Sequence, residues 1–227
     1  MGYNLIGDIA GEYDALQLLL AKMPKDQELI CVGDMVDRGS QGTDVIEFFM
    51  KNGKAILGNH EHMLLTYANT PKAESQQAYW NDSMNRKRYY YTDYKTQEAV
   101  RDIWFSNGGD KTLKSFGGSI PANVIEWLTA LPLYIETDDL FISHAPYNPN
   151  LSLEQNCDLV GFIGSGLIWN RGTPRRMKDK YQVFGHNKRT KRFTDRDGDF
   201  AMCIDNNGDN EIMGIHWPSM ETFTQAY

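Results

Sequence analysis

The chain has 227 residues, of which 41% are apolar and 23% charged, and it carries a formal net charge of −7. That length suits one domain able to bury a full hydrophobic core without staples, and the acidic balance argues against general nucleic-acid or membrane-surface binding without excluding a local basic patch. No run approaches the ~18 apolar residues of a membrane span, no basic-then-apolar leader opens the chain, and Ile6 stands where a myristoylation signal needs Ser or Thr, so a cytoplasmic location is expected.

Tyr3–Ile6 predicts a first strand ending in Gly7-Asp8-Ile9-Ala10-Gly11. Tyr13, Leu16, Leu19, Leu20 and Met23 then repeat at helical spacing, with Pro24 at the exit. The same strand, acidic glycine turn and helix recur twice. Strand 29–32 leads to Gly33-Asp34-Met35-Val36-Asp37-Arg38-Gly39 and a helix near 42–52, and strand 54–57 leads to Gly58-Asn59-His60-Glu61 and a helix near 61–68. Such alternation implies parallel strands, and ligands gather beyond the carboxyl ends of parallel strands.

Residues 69–97 turn polar, aromatic and basic, with Tyr79-Trp80-Asn81 and Arg86-Lys87-Arg88-Tyr89-Tyr90-Tyr91. They read as an insertion into the single domain spanning 1–227. A partly helical surface excursion is the simpler reading; a lid whose Arg and Tyr residues grip a base or phosphate is the other. Beyond it, Val100 to Phe105 predicts a helix stopped by Gly108-Gly109, and Val124 to Leu131 predicts another between Pro121 and Pro132. Strands are expected at Leu133–Glu136, Leu140–Ser143, Gln182–Phe184, Phe200–Ile204 and Glu211–His216, the last two joined as a hairpin through Asn207-Gly208. Cys31, Cys157 and Cys203 lie far apart and match neither a disulfide framework nor a zinc spacing, so they read as reduced structural thiols.

The strand ends carry the chemistry. Asp34, Asp37 and Arg38 put two carboxylates and an anion clamp in one glycine-bounded turn, because carboxylate oxygens suit divalent cations and a planar guanidinium takes two phosphate oxygens. His144 and His186 each follow an apolar strand directly, and Arg171 adds a second guanidinium in a glycine-flanked loop. Each alone reads as a packed or solvated residue. Strand ends carrying Asp, Asp, Asn, His and His together are hard to produce by chance.

This ordered set (Gly7-Asp8-Ile9 with Gly11, Gly33–Gly39, Gly58–Glu61, Ser143-His144-Ala145 and Phe184-Gly185-His186) resembles the metallophosphatases of the phosphoprotein phosphatase, or calcineurin-like, superfamily. The bacterial and phage lambda branch is similar also through Trp104–Gly109, Leu131–Glu136 and Ile168–Arg171. The resemblance implies an α/β (α+β) fold, a β-sandwich of two mixed sheets flanked by helices with a dinuclear metal site at the strand ends. It implies Asp8 as a ligand of the first metal, Asp34 as the bridge, and Asn59, His144 and His186 as completing the second site. His60, oriented by Asp37, is the implied general acid, and Arg38 and Arg171 the implied clamp on the phosphoryl oxygens. Two divalent ions ~3.5–4 Å apart would acidify a shared water and brace an in-line displacement. Imidazole and carboxylate ligands favour manganese, with iron, zinc, nickel or magnesium as alternatives, over calcium.

Two positions depart from the pattern. Ala10 stands where the family has a histidine ligand of the first metal, leaving that ion to Asp8, Asp34 and water. The intact remainder of the motifs favours a variant crippled to trap ligand over a natural chain working with one firmly held ion. Leu57 stands where eukaryotic-type members carry arginine, which removes a phosphate-clamping charge. Elsewhere, His62 reads as a surface or supporting residue, His216 as strand-end packing, and Asp195–Asp199 as a hairpin turn, since its glycine is misplaced for a calcium loop. Lys188–Arg192 reads equally as a solvated hairpin or a polyphosphate-contacting rim.

The first functional expectation is therefore a metal-dependent phosphomonoesterase acting on a phosphoprotein, phosphopeptide or small phosphorylated substrate. The alternatives are hydrolysis of a nucleotide signal, a dinucleoside polyphosphate or cyclic nucleotide, and capture of a phosphorylated ligand without turnover.

Overall fold

The computed structural model describes residues 2–69, 97–158 and 166–227. Among these, the first sheet contains β1 (Tyr3–Ile6), β2 (Glu28–Cys31), β3 (Lys54–Ala55), β9 (Glu211–Trp217) and β10 (Glu221–Ala226), and the second contains β4 (Tyr134–Glu136), β5 (Leu140–Ser143), β6 (Tyr181–Phe184), β7 (Lys191–Asp195) and β8 (Gly198–Cys203). The order β10-β9-β1-β2-β3 keeps β1, β2 and β3 parallel, with β9 antiparallel to β1 and β10 to β9. The order β4-β5-β6-β8-β7 keeps β5, β6 and β8 parallel, with antiparallel strands at both edges. Both sheets are mixed, as expected.

The central strands are apolar on both faces because both are covered. Leu5, Ile30 and Val32 of the first sheet meet Leu140, Ile142, Val183 and Met202 of the second in the seam between the sheets. Alternate residues Ile6 and Cys31 face the helical layer instead. That layer comprises α1 (Tyr13–Lys22), α2 (Gly42–Asn52), α3 (Asn59–Asn69), α4 (Gln97–Ser106), α5 (Gly109–Ser115) and α6 (Ala122–Ala130), and its core includes Leu16, Leu19, Phe49, Leu64, Trp104 and Leu128. A short α7 (Leu153–Asn156) is closed by a capping box between Ser152 and Gln155.

Several boundaries differ from the sequence reading. β3 has two paired residues rather than four, and α3 begins at Asn59, so Asn59 and His60 occupy its first turn. The predicted Asn207-Gly208 hairpin is absent: β8 and β9 lie in different sheets, and Asn207–Asp209 forms a 3₁₀ turn in the crossover between them. Gly208 serves close approach rather than a hairpin turn, since a Cβ there would overlap the Lys188 carbonyl, which accepts the Gly208 N–H at 2.9 Å. Strands β7 and β10 have no apolar run because they are edge strands with largely exposed, polar side chains, which block edge-to-edge pairing. The expected insertion at 69–97 lies, except for its end residues, outside the described residues.

Candidate active site

Parallel strands of both sheets end at one place. Asp8 follows β1, Asp34 and Asp37 follow β2, Asn59 and His60 open α3 after β3, and His144 and His186 follow β5 and β6. The turns are joined by main-chain bonds: Ile9 and Ala10 N–H both donate to the Asp34 carbonyl, at 3.0 and 2.9 Å, and Gly39 N–H donates to Ala10 at 2.7 Å. Ala10, Asp34, Asp37, Arg38 and His186 all take positive φ, between 51° and 69°. Left-handed backbone costs an L residue about 1–2 kcal/mol, and such strain gathers where side chains must be aimed.

The ligand-bearing side chains converge. One oxygen or nitrogen from each of Asp34, His144 and His186 lies within 4.8 Å of the other two, and all three residues are buried. Asn59 Oδ1 sits 2.9 Å from His144 Nε2 and 2.8 Å from His186 Nδ1, while Asp34 Oδ1 is 3.3 Å from His144 Nε2. His144 Nδ1 is 2.9 Å from the Val32 carbonyl, which can only accept, so Nδ1 carries a proton and Nε2 is the ring nitrogen turned toward these oxygens. Lone pairs aimed at one point suit a cation between them, and a carbonyl that fixes the histidine tautomer is a usual support of a metal ligand. Burial, and then the charge of His144, lowers the His186 pKa to about 2, so its imidazole is neutral and free to ligate. Burial opposes ionisation of Asp34, but His144 and His60 outweigh it and hold its carboxyl down at about 2. The donor set fits a divalent ion.

Asp8 faces a more negative setting. Its carboxylate accepts the His186 N–H at 3.2 Å, and burial followed by the charges of Asp205 and Asp34 pushes its pKa well above the ordinary value. Asp205, buried just past β8, accepts the N–H groups of Lys188 and Asn207. It was legible by the same strand-end rule as its neighbours but passed over in the sequence. Ala10, where the resemblance led a histidine to be expected, is buried.

His60 and Asp37 form a buried pair, Nδ1 to Oδ2 at 2.5 Å, with His60 Nε2 3.8 Å from Asp34 Oδ2. Burial works against a charged imidazole, but Asp34 and Asp37 overcome it and raise the His60 pKa. Asp37 is held from the helical layer as well: Trp104 Nε1 donates to it at 3.0 Å and Thr112 Oγ1 at 2.7 Å, while Thr112 Oγ1 accepts the Asp37 N–H at 2.8 Å. Glu61 accepts the N–H groups of Asp34, Met35 and Gly58 at 2.9, 2.7 and 3.0 Å, bracing two strand ends at once. The sequence reading gave none of Trp104, Thr112 and Glu61 an individual role.

Arg38 follows Asp37 directly, its charge working against that of the His60 imidazole, and Arg171, exposed, donates to the His186 carbonyl at 2.9 Å. The loop carrying Arg171 hangs on Asn170, whose Nδ2 donates to the Pro146 carbonyl. His62 is fully buried rather than at the surface, edge-on to Trp169, which in turn lies edge-on to His186. His216, on β9, has its Nδ1 3.0 Å from Oδ1 of Asn4 on β1, Asp195 and Gly198 close the β7–β8 hairpin, and Leu57 is buried.

Residues 3–198 match the sequence profile of the Calcineurin-like phosphoesterase family. The chain belongs to that family. Among curated relatives, a symmetrical bis(5'-nucleosyl)-tetraphosphatase of Shewanella sediminis is 29% identical over 74% of this chain and 52% of its own length, and one of Vibrio campbellii is 27% identical over 69% and 50%. The chain thus spans about half the length of these relatives. Among solved structures, a metallophosphoesterase from Sphaerobacter thermophilus aligns at TM-score 0.57 and 12% identity, covering 100% of this chain and 87% of that one. A cold-active protein-tyrosine phosphatase of a psychrophilic Shewanella aligns at 0.54 and 16%, covering 94% and 75%. These two likenesses speak for the calcineurin-like phosphoesterase fold. No helix among the described residues is long and apolar enough to cross a membrane.

Proposed function

We propose that this calcineurin-like phosphoesterase hydrolyses the polyphosphate bridge of a dinucleoside tetraphosphate, releasing two nucleoside diphosphates. The reaction class is supported by one observation above all, the convergence of Asp34, Asn59, His144 and His186 beside the His60–Asp37 pair. The substrate class is supported by the names of the curated relatives, which favour a nucleotide over the phosphoprotein expected first.

Asp34, Asn59, His144 and His186 would hold one divalent ion, and Asp8 with Asp34 a second, weaker one, with manganese the first choice. Bound there, the metal supplies Lewis-acid polarisation and acidifies water. Arg38 and Arg171 neutralise the phosphoryl oxygens. As water's oxygen bonds to phosphorus, its proton passing to solvent, and the bridging P–O bond breaks, His60 Nε2 gives its proton to the departing oxygen and regains one from solvent, while Asp37 keeps the imidazole in the tautomer that can do so. No covalent enzyme intermediate is required.

The test is product analysis by anion-exchange chromatography after incubation with Mn²⁺ and, separately, diadenosine tetraphosphate, an aryl phosphate and a phosphopeptide. The expected result is ADP as sole product and the highest kcat/KM for the dinucleotide. A higher kcat/KM for the phosphopeptide overturns the substrate class, and unchanged recovery of every ligand favours a binder without turnover.

A further inference from the structure

A second basic surface adjoins the clamp. Arg38, Lys111 and Lys188 share the lining of a cavity of about 430 Å³ with Phe105, Ser106, Asn107 and Gly108, and no carboxylate is in that lining. On a chain of net charge −7, three cations around one cavity make a local positive field that selects anions. The three are built in from different segments. Lys111, in α5, donates through Nζ to the Arg38 carbonyl, and Gly108 packs so closely on the Arg38 backbone that a Cβ there would fall 2.5 Å from Arg38 N. Lys188 lies two residues past His186, its N–H fixed by Asp205 and its φ at 61°, while its side chain is exposed. Glu12, half-buried, is the carboxylate whose pKa responds to Lys111, and it offsets only part of this charge.

We infer that the Arg38–Lys111–Lys188 cavity is a subsite for the phosphates beyond the scissile one, so that the site grips an oligophosphate chain rather than a single phosphoryl group. The inference rests on the polyphosphate reading above and assigns Lys111 and Lys188 as its specificity residues. Arg38 belongs to both places and marks where the chain passes from one to the other. A phosphate monoester has no further phosphate to offer the two lysines. Phe105 gives the cavity an apolar wall.

Titration calorimetry of the full, metal-stripped chain with inorganic tripolyphosphate and with orthophosphate tests the subsite without catalysis. The expected result is tripolyphosphate binding at least tenfold tighter than orthophosphate. Lys188→Asn, a residue that accepts positive φ, weakens tripolyphosphate about fivefold and leaves orthophosphate within twofold. Lys111→Met acts the same way, and Lys188→Arg restores binding. Equal affinity for the two anions, or unchanged tripolyphosphate binding in both lysine variants, overturns the inference. Diadenosine tetraphosphate hydrolysis by the unaltered chain keeps the two ideas apart: lysine-dependent tripolyphosphate binding without dinucleotide cleavage upholds the subsite and refutes the proposed substrate, and cleavage without lysine dependence does the reverse.

Discussion

Thr112→Val removes one hydroxyl and keeps the side chain's shape. In the native protein that hydroxyl donates to Asp37 Oδ1 at 2.7 Å and accepts the Asp37 N–H at 2.8 Å, and Thr112, Asp37 and Trp104 are all inaccessible to solvent. Losing a hydrogen bond to a charged group costs about 1.5–3 kcal/mol, and orphaning a buried N–H costs about 1–3 kcal/mol more, so the substitution destabilises by about 2.5–6 kcal/mol. Thr112→Ser keeps both bonds and loses a buried methyl, worth about 1 kcal/mol. Urea denaturation of the three proteins therefore ranks Thr above Ser above Val, although Val fills the space better. A packing-only account predicts Ser below Val. That order, or a Val variant within about 1 kcal/mol of the parent, would refute the claim that the helical layer holds Asp37 in place.

Asp37→Asn removes a charge that raises the His60 pKa, so the alkaline limb of the pH–kcat profile moves to lower pH; an unmoved limb argues against His60 as the acid. The sign for folding agrees: His60 binds its proton more tightly native than unfolded, so its stabilisation is full below its usual value near 6.5 and fades as pH rises through the elevated native one. In Gly58→Ala the new Cβ overlaps Asp34 Oδ1 and its backbone N, so Mn²⁺ affinity measured by calorimetry falls at least tenfold, and native affinity would clear Asp34 of a ligand's role. Ala10→His, at a φ of 54° that histidine adopts more readily than most residues, raises Mn²⁺-dependent turnover at least tenfold; an absence of gain removes the idea of a missing ligand.

Most of the candidate site was legible because its residues share one local rule, a place just past an apolar strand, in every case but His144 beside a glycine. Asp8, Asp34, Asn59, His144 and His186 all obey it, and the structure brings them to one edge. What holds them could not be read the same way. Thr112 lies 75 residues from Asp37 and Trp104 lies 67, so no spacing pattern links either to the turn it anchors. The edge strands β7 and β10 were illegible for a different reason, since solvent-facing strands carry no apolar periodicity to detect. Asn207-Gly208 misled because a dipeptide suited to tight turns also suits close packing, and only the sheet partners of β8 and β9 distinguish the two.

Asp34 and Asn59 stand on the first sheet's strand ends, and His144 and His186 on the second's. An ion bound among them would act as a rivet through the sandwich, and its coordination distances would gauge how the two sheets are seated on each other. The seam of Leu5, Ile30, Ile142 and Val183 would therefore tune such a centre from below. A methyl lost there, from a side chain that binds nothing itself, would reach the chemistry as a change in bite angle.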